Sequence, residues 1–395
     1  MIVRCPKCRQ KNRIPKTPSD AGEPVCGSCG TALPKRRPFR ARFARFCAGV
    51  TFTLDVVFLL LLGGFLVLDR AGPEHWWVTG FLLYMPRVIW AGASLLLLLL
   101  TAPTSRRGSA ERGAGRRLTL SLALALAWSL GPLMGFEVPF RLPASAPPPP
   151  AHRTKIRVLT YNVKSGWRNP HAIAQEIERA KPDLVQFQDS GSVLQTEVGS
   201  LLSPANGWNV RREEQYVVAS RWPLSELTRI NLEVPEPRFM AVRATLSLPD
   251  GAPPITVYNV HLLSARYGLL SVRSRNIQVL EKNLEDRLTQ AATLAAAITS
   301  GPTGPILLTG DLNSPPSSMA KRRLLGVGLQ DAFEAAGLGY GFTYGTSTKV
   351  GRPYVRIDCI LSSPDFRADS IYVGNDIGSE HRPVIADLTL TPRGG

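Results

Sequence analysis

The chain has 395 residues, 44% of them hydrophobic, with 47 Lys and Arg against 30 Asp and Glu, which is ordinary for a globular protein and long enough for two or three domains. The formal charge of +17 is uneven: residues 1–150 carry 20 basic against 7 acidic side chains, and residues 151–395 carry 27 against 23. The excess surrounds apolar segments, where it reports membrane orientation rather than a nucleic-acid surface, and the second half is too nearly balanced to support or exclude a polyanionic substrate.

At the N-terminus, Cys5-x-x-Cys8 and Cys26-x-x-Cys29 are separated by 17 residues, and Gly27 and Gly30 allow tight knuckle turns. This spacing predicts a tetrahedral zinc site within a ribbon over 1–33, too small to fold without the metal's binding energy. Two redox pairs are the competing reading, but Cys-Pro-Lys-Cys lacks the strand–helix context of such motifs. The stretch CPKCRQKNRIP…CGSCG resembles the zinc ribbon preceding some bacterial thioredoxins, which implies a bacterial protein and a structural or recruiting role. Only Cys47 and Cys359 remain, so an outer domain has no internal disulfide.

Three apolar runs follow, at about 46–68, 77–102 and 118–136, each read as a transmembrane helix. Pro86 and Arg87 interrupt the second, which is expected to start late or kink, with Arg87 reaching an interface. Lys35, Arg36, Arg37, Arg40, Arg42 and Arg45 precede the first run, and Arg106, Arg107, Arg112, Arg116 and Arg117 lie between the second and third. The positive-inside rule makes both stretches cytoplasmic and places the C-terminal domain outside a bacterial inner or plasma membrane. A cleaved signal peptide is the other reading of the first run, which starts too late for one. Residues 137–152 form a linker, whose PASAPPPP stretch at 143–150 predicts a stiff spacer lifting the next domain off the bilayer.

Beyond it, β-rich runs are expected at 155–162, 183–188, 216–221, 240–248, 255–262, 305–309, 356–362 and 383–390, with helices from Asn169-Pro170 to about Ala180 and from Arg275 to about Ser300. An α/β domain of layered sheets with outer helices is the natural class. Several strands close on polar islands: Tyr161-Asn162, Gln188-Asp189, Asn259-Val260-His261, Gly310-Asp311-Leu312-Asn313, Arg356-Ile357-Asp358 and Ser379-Glu380-His381. Carboxylates, amides and two imidazoles on one rim of a sheet can hold a divalent metal and move protons. Asn259 is expected to alternate away from His261 and to be structural. His75, His152 and His171 fall in loops, the linker or a helix start, and read as solvated.

In order, the motifs VLTYNV, PDLVQFQD, VVASRWPL, VYNVHL, LLTGDLNS, RIDCIL and GSEHRPV resemble the endonuclease/exonuclease/phosphatase superfamily over roughly 153–391. The resemblance implies a four-layer α/β sandwich of the deoxyribonuclease type that hydrolyses phosphate esters with Mg²⁺ or Mn²⁺. Carried onto this chain, it places Asn162, Asp189 and Glu380 near the metal. Asp311 and Asn313 position the attacking water and a phosphate oxygen, Asp358 orients His381, and His261 faces the phosphate from the other side. Two replacements depart from the pattern: Asp189 stands where Glu is usual and Glu380 where Asp is usual, each moving a carboxylate by about a bond length when Mg²⁺ accepts a narrow range near 2.1 Å.

Arg266, Arg273 and Arg275 follow His261 and offer cations for a phosphate or anionic head group; a solvated loop and helix start is the alternative. The domain offers no evident broad cationic groove for nucleic acid, and a membrane tether brings phospholipid within reach. Three readings stay open: an extracytoplasmic phosphodiesterase or nuclease, a phospholipid head-group phosphodiesterase or phosphatase, and a catalytically silent binding domain on a membrane anchor.

Overall fold

The computed structural model describes residues 2–13, 24–33, 39–101, 112–139, 154–233, 240–249 and 251–391. The chain divides into two compact units, Met1–Phe58 with Leu96–Ser121, and Leu59–Leu95 with Leu122–Gly395. The linker at 143–150 lies outside the described residues.

In the first unit, strands β1 (Ile2–Arg4) and β2 (Lys11–Arg13) pair antiparallel, and Cys5 and Cys26 are buried beside Leu33. Helix α1 (Phe39–Ala71) carries the first apolar run. Its one internal acid, Asp55, is fully buried and accepts a hydrogen bond from Thr101 Oγ1 at 2.5 Å.

The second run departs from the expected single span. It is broken into α2 (Trp77–Leu82) and α3 (Val88–Thr101), and α4 (Arg112–Leu130) carries the third. Two stretches, Phe46–Ala71 and Gly115–Met134, are long and apolar enough to cross a membrane, and Val88–Thr101 is shorter. The break falls at Pro86, which lacks the N–H a continuing helix needs. Arg87 does not merely reach outward: it donates to Asp69 Oδ1 at 2.8 Å, to the Leu133 carbonyl at 3.0 Å and to Ser317 Oγ at 2.6 Å. The end of α1, the start of α3 and the turn after α4 therefore meet at one guanidinium. A backbone bridge also joins Glu137 to Gly339 in both directions, at 2.8 and 2.9 Å. Glu137, at the start of the linker, is thus tied into the C-terminal domain.

That domain is built on two six-stranded sheets. From β3 (Thr154–Asn162) the chain runs through α5 (Pro170–Ala180), β4 (Leu184–Gln188), α6 (Glu197–Leu201), β5 (Asn209–Glu213) and β6 (Tyr216–Ser220). Then come β7 (Thr228–Ile230), β8 (Ala241–Leu246), β9 (Ile255–His261), α7 (Arg266–Ser271), α8 (Ile277–Thr299), β10 (Ile306–Asp311) and α9 (Met319–Gly326). It ends with β11 (Gln330–Asp331), α10 (Ala332–Ala336), β12 (Asp358–Ser362), β13 (Phe366–Val373) and β14 (Val384–Leu390). The sheet orders are β11-β12-β10-β9-β8-β7 and β13-β14-β3-β4-β6-β5. The eight expected strands fall within a residue or two of their bounds; β5, β7, β11 and β13 were not expected.

Period-two alternation makes the layers. Ile156, Val158, Leu184, Ile255, Val257, Leu307 and Ile360 point between the sheets into a shared core. Leu159, Tyr161 and Phe187 point the other way, under α5 and α6. Tyr258, Val260, Leu308 and Leu361 do the same under α8 and α9. Helix, sheet, sheet, helix is the expected four-layer order. Asn169 caps α5 by accepting from the Ala172 N–H at 3.1 Å, with Pro170 in its first turn.

Candidate active site

The inward face that begins as hydrocarbon ends as polar groups. On β3 it runs Ile156, Val158, Thr160, Asn162; on β4 Leu184, Gln186, Gln188; on β9 Ile255, Val257, Asn259, His261; on β10 Leu307, Thr309, Asp311. Asn259 and His261, two residues apart, share this face, so Asn259 does not alternate away from the histidine. It lies one step deeper and is structural for another reason. Asn259 Oδ1 accepts from Gln188 Nε2 at 2.7 Å, and its amide donates to the Phe187 and Val217 carbonyls at 2.9 and 3.2 Å, stitching one sheet to the other. Gln188 also donates to Thr160 Oγ1 at 3.0 Å.

At the open end, strand register sets the acids and imidazoles side by side. Asp311 is opposite His261 in the parallel β9–β10 pair and opposite Asp358 in the antiparallel β10–β12 pair. His381 enters from the second sheet, just before β14, and its ring lies 4.7 Å from that of Tyr344, tilted by 41°. Its Nδ1 faces the Asp358 carboxylate at 3.0 and 3.2 Å, and its Nε2 stands 3.7 Å from Asp311 Oδ2. His261 Nε2 lies 3.6 Å from the same oxygen, while its Nδ1 meets Gln215 Oε1 at 2.7 Å. Asn162 donates to Asp311 Oδ2 at 2.9 Å, and the Asn313 N–H donates to Oδ1 at 2.8 Å. Asn313 takes a left-handed φ of 47° and anchors its amide on the Leu262 carbonyl at 2.9 Å.

These buried groups titrate unlike free ones. Burial pushes His261 down to about 4, against the pull of the Asp311 carboxylate. His381 is buried as well, yet the Asp358 and Asp311 charges outweigh burial and hold it above its ordinary value. Burial raises Asp311, and the neighbouring Asp358 charge adds to it, while both imidazoles oppose. With Gln215 Oε1 accepting from Nδ1–H, the Nε2 lone pair of neutral His261 faces Asp311, whereas His381, once protonated, presents an N–H there.

Among the described residues, Asp311, Asp358 and His381 offer ligand atoms within 4.8 Å of one another, and so do Cys5, Cys8, Cys26 and Cys29. The first set, two carboxylates and an imidazole, suits a small divalent cation. The second suits a tetrahedral ion: Cys5 and Cys29 sulfurs are 3.5 Å apart, as are those of Cys8 and Cys26, near the roughly 3.8 Å that four 2.3 Å Zn–S bonds require.

Asp189, at a left-handed φ of 48°, ion-pairs with Lys164 Nζ at 3.3 Å. Lys164 has no counterpart in the sequence reading. Lys164, Ser165 and Gly166 all have positive φ, which turns the chain back over the site directly after Asn162. Burial pulls the lysine down, but Asp189, Asp311 and Glu380 outweigh it. A lysine two residues beyond a strand-closing Asn and just before a glycine turn was the available signal; Gln215 and Tyr344 offered none. Glu380 is half-buried, and its charge is felt by Lys164. Arg266, Arg273 and Arg275 are exposed on α7 and the turn after it, and among the described residues no bond joins them to the site.

Residues 159–381 match the family described as Endonuclease/Exonuclease/phosphatase family. The chain belongs to this family. The matched segment takes in Asn162, Asp189, His261, Asp311, Asp358 and His381. No curated protein matches the chain. Among solved structures, an endonuclease/exonuclease/phosphatase from Beutenbergia cavernae is similar at 21% identity over 60% of this chain and 72% of its own, with a TM-score of 0.45. A family protein from Bacteroides thetaiotaomicron is 16% identical over 61% of this chain and 100% of its own, TM-score 0.48. The 3′ phosphatase NExo from Neisseria, bound to a product DNA hairpin, is 17% identical over 58% and 98%, TM-score 0.47. As a member of the family, the domain is a phosphoester hydrolase by class.

Proposed function

We propose that the chain is a membrane-anchored, divalent-metal-dependent phosphoester hydrolase whose catalytic domain lies outside the cytoplasm. The observation that carries the reading is the convergence of His261 and His381 on Asp311, with Asp358 behind His381. Phosphate-ester hydrolysis needs a water relieved of a proton, a leaving oxygen supplied with one, and compensation for charge on the phosphoryl oxygens. Neutral His261 is suited to accept a proton at Nε2. His381, whose proton affinity the two carboxylates raise against the effect of burial, is suited to donate one or to stabilise phosphoryl charge. Asn162 and the Asn313 N–H hold Asp311 in place between them.

Asn162, Asp189 and Glu380, with the Asp311 carboxylate beside them, are the residues that would hold Mg²⁺ or Mn²⁺. Such an ion polarises the phosphoryl oxygens and lowers the pKa of a bound water. Lys164 adds a cation for a phosphate oxygen. In the N-terminal unit, the four cysteines would hold a structural Zn²⁺.

Anchor geometry supports the outward placement. Asp69 closes the first spanning stretch and Leu133 the last, and both meet Arg87 beside Ser317 of the catalytic domain. If both stretches cross the bilayer, their starts lie on the opposite face, where the arginine clusters at 35–45 and 106–117 are retained by the positive-inside rule. The same contact favours a phospholipid head group over a soluble substrate: Ser317 is four residues from Asn313, at most about 14 Å of chain, so the site lies close to the helix ends.

The test is Mg²⁺- or Mn²⁺-dependent turnover of bis-p-nitrophenyl phosphate, plasmid DNA and phospholipid vesicles by the full chain in detergent. Turnover abolished by His381→Ala and Asp311→Ala is expected, and vesicle cleavage in preference to DNA supports the lipid reading. Absence of turnover on all three points to the silent binding domain. A C-terminal alkaline phosphatase fusion that is active only when exported checks the topology.

A further inference from the structure

We propose that the hairpin between the first two apolar helices, residues 69–87, is a working part of the active site, and that Tyr84 is a positioning residue for the Asn313 loop. This rests on the hydrolase reading above. Tyr84 is buried at 6% exposure, and its hydroxyl donates to the Asn313 carbonyl at 2.8 Å, across 229 residues of sequence. Asn313 is a non-glycine residue in the left-handed region, a conformation that persists only where its surroundings fix it. Its N–H is held by Asp311 Oδ1 and its amide by the Leu262 carbonyl. Tyr84 supplies the remaining restraint, on the carbonyl.

The hairpin grips the same loop three times more. Arg87 donates to Ser317 Oγ at 2.6 Å, Asp69 Oδ1 accepts from Ser317 Oγ at 3.1 Å, and Glu74 Oε1 accepts from the Met319 N–H at 2.8 Å. Four contacts over seven residues, each from a different hairpin side chain, splint the segment joining the catalytic Asp311–Asn313 turn to α9. Tyr84 is itself seated: Leu83 and Tyr84 pack with Ala265, Leu280 and Leu284, and the Arg287 guanidinium lies 5.2 Å from the Tyr84 ring centre. Gly80 completes the fit, because a Cβ there would stand 2.4 Å from Leu284 Cδ1. A catalytic domain cut away at the linker loses this packing and all four restraints.

Loss of the hydroxyl frees the Asn313 carbonyl, lets its peptide leave the left-handed conformation, and takes the N–H off Asp311. Chemistry should suffer and substrate capture should not. The test compares full-length wild type and Tyr84→Phe in detergent by kinetics on bis-p-nitrophenyl phosphate, thermal unfolding and hydrogen–deuterium exchange. Expected are a kcat lower by about tenfold, the worth of one ordinary hydrogen bond, a KM within about twofold, an unfolding midpoint lowered by no more than a few degrees, and faster exchange confined to peptides covering 311–319. Unchanged exchange in those peptides overturns the proposal. So does a lowered midpoint with faster exchange throughout the domain, which marks Tyr84 as a packing residue only. If the wild type has no turnover, the hydrolase reading fails, and exchange at 311–319 still decides whether Tyr84 positions the loop.

Discussion

His261 and His381 aim their Nε2 atoms at one carboxylate oxygen, Oδ2 of Asp311, from 3.6 and 3.7 Å. The two imidazoles come from different sheets, and their surroundings drive their proton affinities apart, down for His261 and up for His381. Such a separation divides acid from base within one site.

His381→Ala should lower kcat by about 10²- to 10⁴-fold, the usual range for a positioned proton donor. Asp358→Asn keeps an acceptor for the imidazole N–H but removes the charge, so its loss should be smaller. Because Asp358 acts through His381, the double variant should be no worse than His381→Ala alone. Steady-state kinetics on the four proteins decide it: multiplicative losses in the double variant would show that Asp358 works independently.

Behind these groups, the amides of Gln188 and Asn259 join the sheets at a buried contact of 2.7 Å. Asn259→Leu leaves Gln188 Nε2 without this acceptor and the Phe187 and Val217 carbonyls without their donor. Gln188 Nε2 keeps Thr160 Oγ1, so a cost of about 1–3 kcal/mol is expected from the buried hydrogen bonds that are lost. Urea unfolding should show it as a lower midpoint, and an unchanged midpoint would remove the amide bridge from the account of how the sheets are held.

Much of this site could be read in the sequence because it is written locally. An apolar alternation that closes on Asp, Asn or His states both the strand and the end that carries chemistry, and Asn162, His261 and Asp311 lie where that pattern puts them, whereas Asp358 opens its strand. Register between strands is a long-range property, so the juxtaposition of Asp311 with both His261 and Asp358 was not legible. Neither was the Lys164–Asp189 pair, which depends on three consecutive positive-φ residues. The Pro86-Arg87 interruption of the second apolar run was legible, but not that it leaves only the shorter helix Val88–Thr101 after the break. β5, of sequence NVRRE, and β13, of sequence FRADSIYV, escaped notice because edge strands lack the clean apolar alternation of central ones.

Gly310 joins β10 to the catalytic turn at a φ of 141°, and a Cβ there would stand 1.9 Å from the Val260 carbonyl oxygen. Gly310→Ala must push β10 away from β9 where Asp311 faces His261. Loss of turnover should therefore accompany a lower unfolding midpoint. Wild-type kcat in this variant would mean that the register between these two residues is not needed for chemistry.

Arg356 closes one of the polar islands without joining the site. It donates to Asp331 Oδ2 at 2.7 Å, Lys321 pairs with the same carboxylate, and all three side chains are buried. Burial would raise Asp331, but the two cations outweigh it and hold the carboxyl well below its ordinary range. A depressed folded-state pKa adds stability above the unfolded value of about 3.9 and loses it as pH falls towards the folded one. Asp331→Asn should cost about 3–5 kcal/mol at pH 7, because it removes the buried carboxylate that Arg356 and Lys321 share, leaving Lys321 on Glu334. The gap between variant and wild type should narrow below about pH 4, as Asp331 of the unfolded wild-type chain takes up a proton that the folded carboxylate does not. Urea unfolding of both proteins at pH 7, 4 and 3 checks this, and a gap as wide at pH 3 as at pH 7 would show that the Asp331 charge contributes nothing to the stability of the fold.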